Sequence, residues 1–570
     1  MTGNIETAAT RTALKALDTT QITTAYLSQA GRAGIFNFRA GNYSAQITAD
    51  TEEGLYIKAN AVAASAGVWV RSFDGLPMVN WWGALPSNGA AANDTAFNAA
   101  ISLIQQQTNI QRRALGIPPG HYIVSDLRVE NTGLQFTLIG SGRFATALYR
   151  PASAPAALIR VKGEGISFTD MSIQQGSFTS ADASIGILVK KDYGPVNPPT
   201  ADSDFSLSRV RITGFATGVE HWGRGLKAED CDFNACGWGV VHEWPSVGDY
   251  MQDDSPVKRD ETGFRYFQYD SIRGHSNLFG LFRNDGTNAG KINGINASGI
   301  DMDIGRCLWQ GVLRQGVISN FTVTQTPVPA FRLADGSENY IIEGGTIQGD
   351  PIAERVPTYL IELTGNHDSG VFRDILGRYC ESHGIYHDGS GTATDMVIDG
   401  LDFSEVCKEV SGANPIRFNG ANHTGYIDNV TLDTVSPLTG VIRGTSSSNA
   451  MKVGRVAHLR APTPPLDPSS LGIRMDNDTF SSAPTNGNFA TFKDHDNAIR
   501  GTIEASGASS IGIWMNRGLD VAIRVGSGNP EGTQMAGRGS LYIDLGAGVN
   551  LYMKSTTSGN TGWKLFAREA

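Results

Sequence analysis

The sequence predicts an all-β chain dominated by one long parallel β-solenoid, and three observations predict it. Between about residues 133 and 460 an apolar triplet recurs, with apolar side chains at a first position and again three and five residues later. Most recurrences are 21 to 30 residues apart, the length of one coil. Composition agrees: 68 Gly, 40% hydrophobic and 18% charged residues among 570 suit many short strands joined by tight turns.

The first positions are Phe168, Leu207, Ala228, Ile295, Ile318, Ile342, Phe372, Ile398, Ile427 and Val453, spaced by 39, 21, 67, 23, 24, 30, 26, 29 and 26 residues. The spacings of 39 and 67 imply insertions or less regular coils. Of the thirty inward positions only Ser298, Gly345, Gly377 and His458 are not apolar, which leaves 26 where composition alone gives about 12. The residue after each first position is an independent test. These are Thr169, Ser208, Glu229, Asn296, Ser319, Glu343, Arg373, Asp399, Asp428 and Gly454, and none is apolar. A strand with one face in a core and the other in water alternates in this way.

The flanking elements follow in order. Residues 1–75 read as a leader, with a short helix over Glu6 to Leu17 and strand-like pieces such as GLYIKAN and GVWVRSFDG. Residues 76–460 hold the solenoid and a helix at its start, in VNWWGALPSNGAAANDTAFNAAISLIQQQ. There Asn93 or Asp94 is expected as the N-cap, and Phe97, Ala100, Ile101 and Ile104 as the apolar face. GIPPGHYIVSDLRV then supplies a turn and a first strand. The Pro-rich APTPPLDP (461–468) ends the repeat, and residues 461–570 read as a Gly-rich, β-rich C-terminal domain.

Several function classes are disfavoured. A net charge of −10 argues against a general nucleic-acid binder, which needs a basic stripe. No segment reaches the run of about 18 apolar residues that spans a bilayer, so membrane insertion is not expected. The start, MTGNIETAATRTALKALDTT, lacks the charged and apolar regions of a secretory signal, which fits a chain that stays inside a cell or leaves within a virion at lysis. Cys231, Cys236, Cys307, Cys380 and Cys407 are odd in number and show no CxxC spacing. They read as small apolar fillers rather than a disulfide framework or zinc site, and Cys231 occupies an inward position.

Three segments together resemble bacteriophage tailspikes of the pectate-lyase-like right-handed parallel β-helix superfamily. VNWWGALPSNGAAANDTAFNAAI followed by IPPGHYIVS is similar to the segment that opens their β-helix. LKAEDCDFNACGWGVVHEW resembles a generic coil of the superfamily, and GSLYIDLG with NLYMKSTTSGNTGW is similar to a C-terminal element of phage tail proteins. The leader AYLSQAGRAGIFNFRAG, with GLYIKA and GVWVRSFDG, also resembles tailspike leaders. One departure is that Asn93-Asp94 stands where the family usually carries two aspartates. The resemblance implies a right-handed parallel β-helix, a homotrimer, attachment to a phage tail or baseplate through the N-terminal region, and a bacterial surface polysaccharide as partner. The expected location is the virion, acting at the host surface. The superfamily contains hydrolases, lyases and binders, so the resemblance is specific for architecture rather than chemistry.

Glycoside hydrolysis needs one carboxyl group to protonate the leaving oxygen and another as base or nucleophile, about 5–5.5 Å apart for retention and about 6.5–9.5 Å for inversion. Glu343, Arg373 and Asp399 take the same outward position on successive coils, with Asp374 one residue along. Glu343 and Asp399 are then two strand spacings apart, about 9–10 Å, and Asp374 and Asp399 about 6 Å. Arg373 between them suits Asp399 or Glu343 as base, with Asp374 or Glu381 as acid. An ordinary charge ladder is the alternative. In GIDMDIG, Asp301 and Asp303 share one face of an extended strand about 6.5–7 Å apart. A structural calcium ion is a rival occupant there, and no cofactor is otherwise required.

Catalytic candidates are therefore Asp301, Asp303, Glu343, Asp374, Glu381 and Asp399. Substrate-binding candidates are Trp222, Trp244 and Trp309, with Trp238 beside them, and Arg378, Tyr379 and His383 from GRYCESHGIYHDGSG. The last three are also what a lyase would need, a base beside a uronate carboxylate and a cation to stabilise the resulting charge. An endo-acting hydrolase is the expected activity, because carboxylates dominate the outward face. A polysaccharide lyase and a non-catalytic receptor-binding tail protein are the alternatives.

Overall fold

A computed structural model of the chain describes residues 5–106, 113–130, 135–151, 157–163, 165–176, 183–190, 204–222, 225–243, 267–285, 294–303, 306–352, 356–404, 406, 415–433, 442–444, 450–453 and 456–458. In the C-terminal part it describes 487–493, 499–505, 511–515, 521–533, 538–545, 550–557 and 559–568. Two compact units result, one of residues 1–439 with 450–472 and one of 440–449 with 473–570. The Pro-rich break expected at 461–468 lies outside the described residues.

The first unit is a parallel β-helix behind a small mixed sheet. A 20-stranded sheet and a 12-stranded sheet run along it, with coil-to-coil pairing parallel throughout. The triplet is explained by one backbone feature. Two residues after the first position of each described coil from Phe168 to Ile427, with Tyr269 and Ala297 in place of Ile295, the chain turns left-handed, at Asp170, Arg209, Asp230, Ser271, Gly299, Asn320, Gly344, Asp374, Gly400 and Asn429. Eight of these ten are Asp, Asn or Gly, the residues that tolerate this conformation best. The bend advances the strand's two-residue alternation by one, so inward side chains fall at 0, +3 and +5 rather than 0, +2 and +4.

Pairing corrects the register in one place. Ala228 pairs with Tyr269, Tyr269 with Ala297 and Ala297 with Ile318, so the gap of 67 residues hides a coil, and the first position of the next is Ala297, not Ile295. Ile295 is also buried, being two residues back on the same face, while Ser298 moves to the outward row. Two of the remaining exceptions are accounted for by neighbouring coils. A Cβ on Gly345 would fall within the Phe321 ring, and one on Gly377 would meet Leu360 and Phe403. Gly345→Ala is expected to destabilise the solenoid by about 1–3 kcal/mol through overpacking, read as a lower thermal unfolding midpoint. An unchanged midpoint would show that Phe321 can shift freely.

The helix at the start, Ala90–Gln105, buries Phe97, Ala100, Ile101 and Ile104 as expected. Its N-cap is Gly89, however, and neither Asn93 nor Asp94 caps it. Both lie inside the helix, at its fourth and fifth residues, and brace it to the first coil. Buried Asn93 accepts from Leu85 N (3.0 Å) and donates to Ile123 O (3.0 Å), while Asp94 accepts from Ser125 N (2.8 Å) and from the Ser125 hydroxyl. Three part-buried backbone groups outside the helix, Leu85 N, Ile123 O and Ser125 N, are satisfied this way, which a cap would not achieve.

In the leader, Glu6–Ala8 is a strand and the helix is shorter than expected, Arg11–Ala16, capped by Thr10. A five-stranded sheet surrounds Leu14, Leu27, Phe36, Ile57 and Trp69. The second unit is a seven-stranded sheet running from Gly487–Lys493 to Trp563–Arg568, antiparallel except where Val521–Gly526 pairs with Leu541–Asp544. Among the described residues no helix is long and apolar enough to cross a membrane.

Candidate functional site

Stacked coils turn outward residues into rows running along the solenoid. One row precedes the bend: Glu229, Asp270, Ser298, Ser319, Glu343, Arg373, Asp399 and Asp428. Two more lie side by side beyond the bend. The first of these holds Arg211, Asp232, Arg273, Asp301 and Thr322; the second holds Thr213, Asn234, His275 and Asp303.

The six candidate carboxylates fall into three sets. Asp301 and Asp303 belong to the strand Ile295–Asp303, two residues apart on its outward face, hence about 6.5–7 Å apart. Asp303 accepts a hydrogen bond from Thr324 Oγ1 (2.9 Å) and lies 3.4 Å from His275 Nδ1. Asp301 is exposed and makes no side-chain hydrogen bond or ion pair among the described residues. Buried Ile300 and Met302 on either side of Asp301 fix which way it faces.

Glu343, Asp374 and Asp399 form the second set. Glu343 and Asp399 are two strand spacings apart with Arg373 between them, and Arg373 Nη1 reaches Glu343 Oε2 at 3.5 Å. Asn429 Nδ2 donates to Asp399 Oδ1 (2.7 Å). Asp374 sits on the bend itself (φ 52), its carboxylate lying over Gly400 of the next coil, where a Cβ would collide with it. These contacts have the form of a charge ladder along the corner.

Glu381 stands apart, at the turn into the shorter sheet, where it accepts from Thr358 Oγ1 (3.1 Å). Beside it the rings of Tyr359, His383 and Tyr386 stack within 12° of parallel. His383 is only 3% exposed, so the half-buried tyrosines offer the surface that His383 was expected to offer. Burial, with Tyr386 adding to it, pushes the Tyr359 hydroxyl up to about 12, so it stays protonated at neutral pH. Arg378 is exposed in the row beyond the bend, and Tyr379 is the left-handed residue (φ 56) that ends that strand.

Trp309 is corrected outright. It is fully buried, its ring against Phe282 (centroids 6.1 Å), because its position on Cys307–Gly311 points into the core. Trp238 is likewise buried, packed with Val241 and Cys307. Trp222 ends the strand Thr217–Trp222 but its side chain lies outside the described residues, as does all of Trp244. The filler reading of the cysteines fits four of them: Cys231, Cys236, Cys307 and Cys380 are buried free thiols. Burial pushes Cys231 up to about 11 and Cys236 and Cys307 up to about 12, leaving them protonated and unreactive. Cys407 lies outside the described residues.

His275, Arg273 and Thr324 were missed by sequence reasoning. The signal was SIRGHS after Tyr269, a coil whose inward +5 position is Gly274 and therefore does not look apolar. Once that coil is counted, Arg273 and His275 fall beside Asp301 and Asp303.

The molecule is thus a parallel β-helix protein with polar, carboxylate-bearing outer rows. Its neighbours among solved structures are phage tailspikes and β-helix enzymes that act on polysaccharides, at low sequence identity. The enzymatically active domain of tailspike protein 2 from bacteriophage CBA120 is 15% identical, with a TM-score of 0.38 over 80% of this chain and 56% of that one. The chain therefore spans just over half of that structure's length. A tailspike from an Acinetobacter baumannii bacteriophage, described as a capsular polysaccharide depolymerase, is 11% identical (TM-score 0.34; 99% of this chain, 91% of that one). Pantoea stewartii WceF, a glycan biofilm modifying enzyme with a tailspike-like parallel β-helix, is 10% identical (TM-score 0.32; 82% and 51%). No protein-family profile and no curated protein sequence matches the chain.

Proposed function

We propose that the chain is an endo-acting tailspike depolymerase that hydrolyses a bacterial surface polysaccharide, with Asp301 and Asp303 as its working carboxylates. The observation that carries this reading is their placement: two carboxylates on one outward strand face, at a separation inside the inverting range. Glu343 and Asp399 are at the upper edge of that range, and the space between them is taken by Arg373. Asp303, oriented by Thr324 and His275, aligns and deprotonates a water. Asp301, exposed, meets the glycosidic oxygen in its protonated form and donates that proton as the glycosidic C–O bond breaks and the water oxygen bonds to the anomeric carbon. An open face rather than a closed pocket suits cleavage within a long chain.

The reading extends to assembly. The chain acts as a homotrimer carried on a phage tail through residues 1–75, with the second unit holding the subunits together. Light scattering that gave a stable monomer at micromolar concentration would contradict the trimer.

The test of activity uses capsular polysaccharide, exopolysaccharide and O-antigen. Hydrolysis predicts a fall in polymer size with one new reducing end per cut and no new ultraviolet absorbance. Absorbance rising in step with the size drop would replace hydrolysis by elimination. A chain that binds the polymer and leaves its size unchanged would be a receptor binder.

A further inference from the structure

The face carrying Asp301 and Asp303 continues for three coils to an exposed aromatic ring. Along it Asp301 is followed by Arg273, Asp232 and Arg211, and Asp303 by His275, Asn234 and Thr213. At its far end stands Phe144, 80% exposed, with the Arg211 guanidinium carbon 5.7 Å from the ring centroid. Arg211 in turn lies 3.3 Å from an Asp232 oxygen.

The turn that holds Phe144 out is firmly built. Ala145 N and Thr146 N both donate to Gly142 O (3.0 Å), and Ser141 N donates to Thr146 Oγ1 (2.9 Å). Ser172 Oγ donates to the Arg143 carbonyl, and the Arg143 guanidinium grips Asp230 through its carboxylate (2.5 Å) and its carbonyl (2.8 Å). A large apolar ring held out in water adds little to the core, and the backbone turn that carries it is set before any ligand arrives.

We infer that Phe144, Arg211 and Asp232 form a second glycan subsite, which holds an uncharged sugar ring of the same polymer at a distance from the cut. This rests on the reading of the Asp301 and Asp303 face as the track of the substrate. The C–H face of a pyranose packs on the exposed ring, while the planar guanidinium and the carboxylate beside it bond neighbouring hydroxyls. Arg211 and Asp232 offset each other's charge, so the subsite suits a neutral sugar rather than a uronate or a phosphate. Three strand spacings separate Arg211 from Asp301, about 14 Å, or several sugar units. Only long chains reach both places.

The experiment compares wild-type protein with Phe144→Ala and Phe144→Trp. An array of purified bacterial capsular polysaccharides, exopolysaccharides and O-antigens selects a polymer that the wild type binds, and size-fractionated fragments of that polymer are then titrated. Phe144→Ala is expected to weaken binding of long fragments about tenfold or more, the scale of losing one buried aromatic contact. Short fragments should bind as they do to wild type, Phe144→Trp should restore long-fragment binding, and the unfolding midpoint should not move. Equal weakening for short and long fragments, or none for either, overturns the subsite while leaving the depolymerase reading intact. Phe144-dependent binding of long fragments by a wild type that leaves the size of the polymer unchanged would fault Asp301 and Asp303 as working carboxylates while keeping the subsite. A wild type that binds no polymer on the array overturns both.

Discussion

Asp301→Asn and Asp303→Asn should each slow polysaccharide cleavage by at least about a hundredfold, the usual scale of general acid–base help. The amide keeps the shape of the side chain and removes only its ionisation. Both residues sit on the outward face of a strand whose inward neighbours, Ile300 and Met302, are fully packed, so neither exchange disturbs the core. Glu343→Gln, Asp374→Asn, Glu381→Gln and Asp399→Asn serve as comparisons, and each is expected to keep turnover within a few-fold of wild type. His275→Gln tests positioning: it should lower kcat while leaving KM nearly unchanged, since His275 lies against Asp303 and not against the glycosidic oxygen. If Glu343→Gln or Asp399→Asn abolished cleavage instead, the work would belong to the corner row and Arg373 would be part of the site.

Acid should unfold the solenoid well before its carboxylates titrate. Buried histidines line the interior, with His221, His242, His367, His387 and His423 all nearly or fully inaccessible. Burial lowers every one of them, His221 to about 3 and His367 to about 4, and His242 falls well below its ordinary value. In the unfolded chain a histidine titrates near 6.5, so below that pH the unfolded state binds protons that the folded state refuses. Stability is therefore complete above about pH 6.5 and falls as the pH drops toward the folded values, by about 1.4 kcal/mol per unit for each such group. Summed over the buried histidines, this amounts to a loss of several kcal/mol between about pH 6.5 and 5. Thermal unfolding followed across that window should show a steep fall in midpoint, and His221→Phe should flatten part of it. A midpoint constant from pH 7 to 5 would mean that protons enter the folded interior at little cost.

Much of the fold was legible because the bend is local. One left-handed residue at each corner shifts the alternation by one, and that shift is written into the sequence as the 0, +3, +5 triplet. Glu343, Arg373 and Asp399 could be placed in one row on that basis alone. The coil at Tyr269 was not legible, since Gly274 occupies an inward position where the chain gives no apolar signal. Its omission hid the Arg273 and His275 neighbours of the Asp301 pair. The shorter sheet was harder still. Its strands follow turns of unequal length, so no fixed offset from the corner tells which of Trp309, Tyr359 or His383 points outward, and Trp309 points in. The brace at Asn93 and Asp94 reads as a cap from sequence, because Ser125, which it holds, is some thirty residues away.

The corner also separates two kinds of change that such a chain can undergo. Successive first positions are 21 to 41 residues apart, yet each is followed two residues later by the same left-handed turn wherever the coil is described from Phe168 to Ile427. Extra length is taken up elsewhere in the coil, and the outward rows stay in step. Loops can be lengthened, swapped or recruited from another gene without moving Asp301 relative to Asp303 or Arg211. Loops and rows are in this sense on separate inheritance, the loops free to vary and the rows held by the geometry of a single backbone angle.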